Sequence, residues 1–478
     1  MTPPDFLTLL DRPDVAGVAL EDEQRSVSHA ALGNSVRQLA AALALRGVSR
    51  GDRVAVMLPN SAASVEIYLA CALVGAIWVG INPAAPEAEQ QRQCTLVTPT
   101  LTIRADSLPS LMGDGTYAFD AAPPDLTAAC GIGFSSGTTG TPKAIVHSRA
   151  GVSLVAAVLA KSQLRSDDRV GVVLPMSIHN LIAVGALPAL FARGTCVAVE
   201  RMNAAGVAAA CRDRELTRLN ALVPATIYDL VHDDTTTPEM LASLRVAGTG
   251  AAGLSEDLRS AFEAKFSRRL VGTYGMTEAP GVVCIEDPDE PHIERASGKP
   301  LPHVTVSTCD EHRRPLPPRQ EGELVVSAAE RGHWADVYRP SIGTWTEEGF
   351  AARPQGEKRL HTGDYGWVDD DGTVYVTGRK ADVIVRGGVN VNAAELESVL
   401  GELATVREIA VVGENDDRLG QRIVAFVEPT AGMTVEPALL RQQARDMLAH
   451  GKVPDEFVVG ALPRNAMGKV ARAQLRRT

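Results

Sequence analysis

The sequence lacks paired cysteines. Its seven cysteines stand singly along 478 residues, and no two of them form a Cys-x-x-Cys pair. Closely spaced cysteines and histidines are typical of zinc sites, and an even, clustered set is typical of small disulfide-bonded secreted proteins. The odd and scattered set in this chain argues against both and favours a reducing compartment.

Long hydrophobic runs are also lacking. The most apolar segment, Ile67–Ile81, is shorter than the roughly 20 residues of a membrane-spanning helix. The opening stretch MTPPDFLTLLDRPD has acidic residues where a signal peptide has a basic start and a long apolar run. We therefore expect a cytoplasmic protein without a membrane partner.

An excess of positive charge is absent as well. The net charge of −11 argues against nucleic acid as the main partner, although a local cluster of cations can still bind a nucleotide. An apolar fraction of 45% and a charged fraction of 22% are ordinary for a globular protein. The length suffices for about two to four domains.

Strand and helix patterns alternate through the first part of the chain. Arg53–Leu58 is typical of a buried strand, and apolar residues at helical spacing follow it. Arg169–Leu174 has the same strand pattern. This alternation predicts a layered α/β domain with a largely parallel sheet.

A Ser/Thr/Gly-rich segment, SSGTTGTPK at residues 135–143, follows the apolar run Cys130–Phe134. Glycines allow a ligand to approach the backbone, hydroxyl groups and amides donate hydrogen bonds, and Lys143 adds a positive charge. The segment differs from a Walker P-loop because Lys143 is neither preceded by Gly nor followed by Ser or Thr. It therefore predicts a phosphate-binding loop of another type.

Two further segments contain residues that are suited to ligand binding. GTGAAGL at 248–254 has side chains small enough to leave a slot for a flat base or an acyl chain. LVGTYGMTE at 270–278 offers the ring of Tyr274 for stacking, the hydroxyl of Thr277 for a phosphate and the carboxylate of Glu278 for a divalent cation.

The residue composition of the chain changes after about residue 295. Pro and Gly become frequent and short β-type runs appear, which predicts a small β-rich subdomain over about 295–378. Within it, His361-Thr362-Gly363-Asp364 presents a carboxylate on a turn that suits the two hydroxyls of a ribose. Beyond it, Asn392 with Glu395 predicts a helix start, and the basic run that contains Lys469 predicts a cationic loop for a nucleotide.

Together these segments resemble the adenylate-forming superfamily, which includes acyl-CoA ligases, luciferases and peptide-synthetase adenylation domains. The resemblance runs in order from about Gly51 to Lys469. It implies a large N-terminal domain at 1–379, with layered α/β sheets and the small β subdomain, and a small mobile α+β domain at 380–478. The hinge would lie at 380–382, where Ala381 stands in place of the usual Asp or Lys.

The resemblance also implies a nucleotide site. The residues that match nucleotide-binding positions are Ser135, Ser136, Gly137, Thr138, Thr139, Gly140, Thr141, Lys143, Gly250, Ala251, Ala252, Tyr274, Asp364 and Arg379. Tyr274 would stack on adenine, and Asp364 would accept the ribose hydroxyls. The segment Gly250-Ala251-Ala252 departs modestly from the usual Gly-Gly-Ala.

Catalytic and acyl-binding roles follow from the same resemblance. Lys469, Thr277, Glu278 and His179 match catalytic positions, and Glu278 would help to hold Mg²⁺. The residues expected around the acyl group are His179, Gly248, Thr273, Gly281 and Val282. Gly387 and Gly388 would border the CoA tunnel, while Lys380 and Ala381 would form the hinge.

We therefore predict an ATP-dependent acyl-CoA ligase that uses Mg²⁺ and CoA. The segment Ala279–Val283 is small or apolar and contains no cation, so we expect an apolar monocarboxylic acid rather than a dicarboxylate. The alternatives are an adenylating enzyme that loads a carrier protein in trans and a member that performs only one half-reaction. A luciferase-like oxygenase would need a specific luciferin, and no residue selects one.

Overall fold

The computed structural model describes residues 4–112, 125–135, 143–250, 254–354, 356–379, 382–386, 389–416, 418–464 and 470–475. These residues form four β-sheets with helices packed against them. Within the same residues, no helix combines the length and the apolar character needed to cross a lipid bilayer.

A seven-stranded sheet contains the buried strands Arg53–Met57 and Ile77–Gly80 near its parallel edge. Its central strands are parallel, because helices return the chain to the same end, and the last strands are antiparallel. From edge to edge the strands are β18 (Gly349–Ala352), β17 (Gly343–Thr346), β7 (Lys143–Ser148), β6 (Ala129–Ser135), β4 (Ile77–Gly80), β3 (Arg53–Met57) and β5 (Leu101–Arg104).

A nine-stranded sheet stands beside it and is also parallel at its centre. From edge to edge its strands are β14 (Lys299–Pro300), β13 (Gly281–Ile285), β12 (Leu270–Met276), β11 (Val246–Gly250), β10 (Arg218–Leu222), β8 (Arg169–Val172), β9 (Thr195–Ala198), β1 (Val18–Glu21) and β2 (Ser26–Ser28).

Two smaller sheets follow in the second half of the chain. The first is antiparallel and contains β15 (Val304–Cys309), β16 (Gly322–Ala328), β19 (Leu360–Val368) and β20 (Val374–Arg379). The last one contains β21 (Val383–Arg386), β22 (Val389–Asn392), β23 (Val406–Asp416), β24 (Gly420–Pro429) and β25 (Glu456–Val459). Strands β17 and β18 lie between strands of the antiparallel sheet in the sequence, but β17 pairs with β7 and β18 pairs with β17.

Side-chain caps fix where several helices begin. Ser28, Ser148, Asn203, Ser255 and Asn392 each accept a hydrogen bond from a first-turn N–H group. The helices are α1 (His29–Leu45), α2 (Ala62–Val74), α3 (Glu87–Val97), α4 (Leu108–Met112), α5 (Arg149–Gln163), α6 (His179–Leu181), α7 (Leu187–Phe191), α8 (Ala204–Asp213), α9 (Pro224–His232), α10 (Glu256–Phe266), α11 (Ala393–Gly401) and α12 (Pro437–Met447). A π-helical turn, Ile182–Ala186, joins α6 to α7.

The predicted fold class is confirmed. The layered, largely parallel sheets form a large N-terminal domain, and β21–β25 with α11 and α12 form a small C-terminal α+β domain with its own apolar core. Asn392 caps α11 as predicted. The domain boundary after Arg379 and the hinge stay predictions, since Lys380 and Ala381 lie outside the described residues.

Candidate active site

The predicted segments meet where parallel strands end. Gly250 is the last residue of β11 and pairs with Thr273 of the neighbouring β12, just before Tyr274. Parallel strands present their carboxyl ends at the same edge, where ligands of α/β proteins commonly bind. The two sequence segments at 248–254 and 270–278 are therefore adjacent parts of one site.

Tyr274 connects this edge to the small antiparallel sheet. Its hydroxyl group donates a hydrogen bond of 2.7 Å to Asp364 Oδ2, which lies 90 residues later in the chain. Arg379 Nε donates to the other oxygen, Asp364 Oδ1, at 3.0 Å. The Asp364 side chain is 5% exposed, whereas that of Arg379 is 49% exposed. Asp364 is thus held in place from two sides.

Burial is the largest electrostatic effect at this carboxylate, and the pKa of Asp364 is raised overall. Burial raises the pKa of Asp364, while Arg379 and the Tyr274 hydroxyl group act in the opposite direction. Burial also raises the pKa of Tyr274, and the neighbouring Asp364 charge adds to that effect. Tyr274 therefore remains a neutral hydrogen-bond donor at physiological pH.

The turn predicted at His361–Asp364 is a bulged turn within β19, where the pairing with β16 shifts register, and it is fixed by its own hydrogen bonds. Gly363 has a φ of +71°, a conformation that glycine adopts without strain. Its N–H group donates to Glu323 Oε1 at 3.1 Å, and the Asp364 N–H group donates to Thr362 Oγ1 at 3.0 Å. A turn fixed in this way can hold a carboxylate ready for a ligand.

The Ser/Thr/Gly-rich segment is described only at its two ends. Strands β6 and β7 pair up to Ser135 opposite Lys143, so this pair closes the base of the loop. Ser136, Gly137, Thr138, Thr139, Gly140 and Thr141 lie outside the described residues. Near the base, a Cβ atom on Gly133 would lie 3.1 Å from Thr277 Cγ2. The loop base and the Tyr274–Glu278 segment are therefore in close proximity.

Glu278 lies two residues after the end of β12. Its backbone carbonyl accepts a hydrogen bond of 2.8 Å from Ser341 N–H, which fixes the main chain at this position. Its half-buried carboxylate receives no hydrogen bond from any residue that the structure describes. Mg²⁺ prefers oxygen ligands of this kind and keeps several waters, so Glu278 fits a magnesium ligand.

His179 lies deeper than the cleft. It is 1% exposed, its Nε2 lies 3.2 Å from the Tyr68 hydroxyl group, and its ring stacks on His147 with 4.5 Å between ring centres. Burial lowers the pKa of His179 well below its usual value. The residues that line the cleft at this point are Ser177 and Ile178. The proposed contact of His179 with the acid stays a prediction.

The predicted acyl-pocket residues are not all at the surface of the cleft. Thr273 lines it, and its hydroxyl group donates to Thr249 O at 3.0 Å. Gly248 is packed against β10, because a Cβ atom there would lie 3.0 Å from Leu219 O. Gly281, which has a φ of +127°, and Val282 lie on β13, the strand that pairs with β12 in the same sheet. Sequence analysis missed other cleft-lining residues, among them Val223, which follows β10, and Tyr228 of α9. Pro224 at the start of α9 was an available signal.

The cleft runs between the two domains. Its volume of about 2960 Å³ exceeds the roughly 300–1,000 Å³ of a typical small-molecule pocket. Ser135, Gly250, Tyr274, Asp364 and Arg379 line it on the N-terminal side. Glu395, Glu397, Arg407, Arg464 and Arg472 line it on the C-terminal side. The space suffices for a nucleotide and a second substrate.

Side chains of Arg407 and Asn392 connect the domains across this cleft. Arg407 of β23 lies over the Tyr228 ring at 5.1 Å and forms an ion pair of 3.5 Å with Asp229. Asn392 Nδ2 donates to Thr377 O at 2.8 Å. The C-terminal domain is therefore in contact with the wall of the cleft formed by α9.

The segment around Lys469 is also described only at its base. Arg464 and Val470 form an isolated antiparallel bridge, and Arg464 forms ion pairs with Glu408 and Glu428 at 2.6 and 3.0 Å. The residues between the two bridge partners lie outside the description. The same holds for Ala251, Ala252, Gly387 and Gly388, so the roles predicted for Lys469 and these residues stay predictions.

Comparison with known protein families gives two matches. Residues 11–331 match the family described as AMP-binding enzyme, and residues 395–469 match the AMP-binding enzyme C-terminal domain. Of the cleft-lining residues named above, Ser135, Gly250 and Tyr274 lie in the first matched range, whereas Asp364 and Arg379 lie between the two ranges.

Individual relatives match over almost the whole chain. The indoleacetate–CoA ligase of Aromatoleum aromaticum is 30% identical, with 96% of this chain and 94% of that protein covered. The fatty acid–[acyl-carrier-protein] ligase ScoC of Streptomyces coeruleorubidus is 29% identical, with coverages of 95% and 92%. The ATP-bound structure of MatB from Rhodopseudomonas palustris superimposes with a TM-score of 0.86 at 25% identity, with 98% of each chain covered.

Proposed function

Because this chain belongs to the AMP-binding enzyme family and is an AMP-forming acid–thiol ligase, we propose that it activates an apolar monocarboxylic acid with ATP and passes the acyl group to CoA. The observation that carries the proposal is the hydrogen bond between Tyr274 and Asp364. It joins two distant segments beside Gly250 and Ser135 in one cleft.

The proposed reaction has two steps, and each step forms one bond and breaks another. First, a carboxylate oxygen of the acid bonds to the α-phosphorus of ATP, and the bond from that phosphorus to the pyrophosphate oxygen breaks. Second, the thiol sulfur of CoA bonds to the acyl carbonyl carbon, AMP leaves with the bridging oxygen, and the thiol proton passes to solvent. The first step brings an anion towards a polyanion, so it requires preorganised positive charge and hydrogen-bond donors.

In this proposal the N-terminal domain binds the nucleotide. Asp364 accepts the ribose hydroxyl groups, Arg379 contacts the ribose or a phosphate, and Tyr274 stacks on adenine beside Gly250. The burial of Asp364 and its fixed turn support this role, because an acceptor that is already oriented loses little entropy on binding. Ser135–Thr141 and Lys143 surround the phosphates, and Thr277 contacts the α-phosphate.

Glu278 is the proposed Mg²⁺ ligand. When bound, the ion supplies positive charge that offsets the phosphate charge. The half-buried carboxylate with its backbone anchored by Ser341 supports this assignment. Lys469 is the proposed second cation at the reacting carboxylate and α-phosphate, and its loop starts and ends at the bridge between Arg464 and Val470.

An apolar acid suits the cleft wall at the carboxyl ends of β10 to β12. Val223 and the Tyr228 ring line this wall. Arg407, a cation that lies over the Tyr228 ring, already pairs with Glu428 at 2.7 Å and Asp229 at 3.5 Å. A second carboxylate on the substrate would therefore compete with ion pairs that already exist.

The test is a pyrophosphate-release assay with ATP, Mg²⁺ and a panel of acids. The panel should contain arylacetic, cinnamic and fatty acids together with malonate and oxalate. The proposal expects ATP to be converted to AMP with an apolar monocarboxylic acid and acyl-CoA to form when CoA is added. Preference for malonate or oxalate would overturn the substrate class, and the absence of AMP with every acid would overturn the activity.

A carrier protein is the second candidate acceptor. It is favoured by one observation, the similarity to ScoC over nearly the whole chain. Incubation of the pre-formed acyl-adenylate with CoA and, separately, with a phosphopantetheinylated carrier protein distinguishes the two by mass spectrometry. A much faster acyl transfer to CoA supports the first proposal, and the reverse supports the carrier.

A further inference from the structure

The antiparallel sheet that carries Asp364 also brings together three metal-ligating side chains outside the cleft wall. They are Cys309 at the end of β15, Glu323 near the start of β16 and His361 near the start of β19. Their Sγ, carboxylate oxygen and Nδ1 atoms all lie within 4.8 Å of one another. Among the described residues this is the one group of three or more such side chains with this spacing.

The sheet itself sets this arrangement. Cys309 is paired directly with Glu323 in the register of β15 and β16, so their side chains lie on the same face. His361 reaches that face from β19, the next strand. The three ligands therefore come from three neighbouring strands, and their positions are fixed by main-chain hydrogen bonds rather than by a flexible loop.

The distances suit a small transition-metal ion. His361 Nδ1 lies 3.9 Å from Cys309 Sγ and 3.7 Å from Glu323 Oε2. Tetrahedral zinc, with ligands at about 2.0–2.3 Å, places its ligand atoms about 3.3–3.8 Å apart. Small side-chain rotations would bring the three atoms into that range. Ions of the zinc class also accept thiolate, imidazole and carboxylate together, which Mg²⁺ and Ca²⁺ do not favour.

Two ligands of the site are partly exposed to solvent, and the third is buried. Cys309 is 4% exposed, while the side chains of Glu323 and His361 are 17% and 22% exposed. An ion can therefore approach from the carboxylate and imidazole side and bind the buried sulfur at the base. With three protein ligands, a fourth position remains for water.

We propose that Cys309, Glu323 and His361 form a binding site for one zinc-class divalent cation that stabilises the turn carrying Asp364. Glu323 Oε1 accepts the N–H group of Gly363, and His361 is separated from Asp364 by only two residues. An ion that fixes Glu323 and His361 therefore also fixes the ends of that turn. The scattered cysteines led the sequence analysis to argue against a zinc site. This site could not be recognised there, because its three ligands are separated by 14 and 38 residues and become neighbours only through strand pairing.

The test uses the full chain after chelator treatment and dialysis. Zn²⁺ binding is measured by competition with a chromophoric chelator, and Co²⁺ is used as a spectroscopic probe of sulfur ligation. The proposal expects one ion per chain, a thiolate-to-cobalt charge-transfer band, and a rise in the melting temperature with Zn²⁺.

Variants identify the ligands. Cys309→Val keeps an apolar side chain of similar size at this buried position, and it should lose the charge-transfer band and at least about tenfold in Zn²⁺ affinity. His361→Asn should also lose at least about tenfold in Zn²⁺ affinity. A loss in both variants cannot be explained by a folding defect that is specific to one of them. Cys94→Ser, which removes a half-buried thiol on α3, is the matched control and should bind as the wild type does.

Three results would overturn the proposal. They are the absence of stoichiometric Zn²⁺ binding to the wild type, unchanged binding in both Cys309→Val and His361→Asn, and loss of the charge-transfer band in Cys94→Ser. Each readout is independent of catalysis, so failure of this proposal and failure of the proposed acyl-CoA ligase activity are distinguishable.

Discussion

The hydroxyl group of Tyr274 donates a 2.7 Å hydrogen bond to the carboxylate of Asp364. The two residues belong to different sheets, the nine-stranded one and the small antiparallel one. Their contact fixes the relative position of the two surfaces that enclose the nucleotide in our proposal.

Removal of Asp364 should impair nucleotide use strongly. Asp364→Ala removes the proposed ribose acceptor and leaves Arg379 and Tyr274 without their partner. Because hydrogen bonds to a charged group contribute about 1.5–3 kcal/mol, we expect kcat/KM for ATP to fall by roughly 10- to 200-fold. Pyrophosphate release at varied ATP concentration measures this effect.

Two matched variants make this prediction specific. Tyr274→Phe keeps the ring and removes only the hydrogen bond, so the loss should be smaller, about three- to tenfold. Asp371→Asn changes an exposed aspartate on the same subdomain that pairs with Lys299 and should behave as the wild type does. An Asp364→Ala enzyme with unaltered ATP kinetics would contradict the ribose-binding role.

The buried His147 should make the protein sensitive to acid. Burial lowers the pKa of His147 to about 3 from an ordinary value of 6.5. Its two ring nitrogens have no hydrogen-bond partner among the described residues. Because the folded-state pKa is depressed, stability is fully present above about pH 6.5 and is lost as the pH falls from there towards 3.

The size of this effect follows from the pKa difference. The unfolded chain takes up a proton that the folded chain does not, so His147 should cost about 2 kcal/mol of stability at about pH 5. We expect His147→Leu to gain in melting temperature relative to the wild type as the pH is lowered from about 7.5 to about 5. A constant difference between the two proteins over this range would contradict the prediction.

Glu286 should be a strong determinant of stability near the site. It is 6% exposed, accepts the Gly272 N–H group at 2.6 Å and receives two hydrogen bonds of 3.3 Å from Arg259, which is also buried. Glu286→Gln removes the nearer and more buried counter-charge of Arg259, because its other partner, Glu263, lies 4.0 Å away and is 35% exposed. A loss of about 3 kcal/mol is expected, because an unpaired buried charge is costly.

Thermal unfolding monitored by fluorescence checks this prediction. Glu294→Gln is the control, because Glu294 forms an exposed ion pair with Arg295 that should contribute little. Equal melting temperatures for Glu286→Gln and the wild type would contradict the prediction, because the buried pair would then make no net contribution to the free energy of unfolding.

Lys469 should act in only one half-reaction. By analogy with the loss of an oxyanion-stabilising donor, Lys469→Ala should lower the rate of acyl-adenylate formation by roughly 10²–10³-fold. Transfer of the acyl group from a supplied acyl-adenylate to CoA should be retained. Lys358→Ala, on the N-terminal domain outside the proposed site, is the control. An equal loss in both half-reactions would contradict the separate role of Lys469.

Sequence patterns identified much of the fold. The strands predicted at Arg53–Leu58 and Arg169–Leu174 are present as β3 and β8, and the cap at Asn392 starts α11. Local composition and caps determine such features, so they are visible in a short window. The arrangement of Tyr274 next to Asp364 depended on a family resemblance, because no local pattern encodes a contact across 90 residues.

Long-range pairing explains what the sequence did not reveal. Gly343–Ala352 lies in the sequence between strands of the antiparallel sheet, yet β17 pairs with β7 of the seven-stranded sheet and β18 pairs with β17. His179 is next to the cleft-lining Ile178, but its ring is buried against His147 and Tyr68. The direction of a side chain at the start of a helix depends on its tertiary neighbours, and these are not encoded locally.

The central claim is that Tyr274, Asp364, Gly250 and the loop at 135–143 bind one nucleotide. The most direct measurement is a crystal structure with ATP and Mg²⁺ or with a non-hydrolysable acyl-adenylate analogue. We predict ribose hydroxyl groups within hydrogen-bonding distance of Asp364, adenine between Tyr274 and Gly250, and phosphates at the loop. A nucleotide bound elsewhere, with Asp364 still engaged only by Tyr274 and Arg379, would contradict the account.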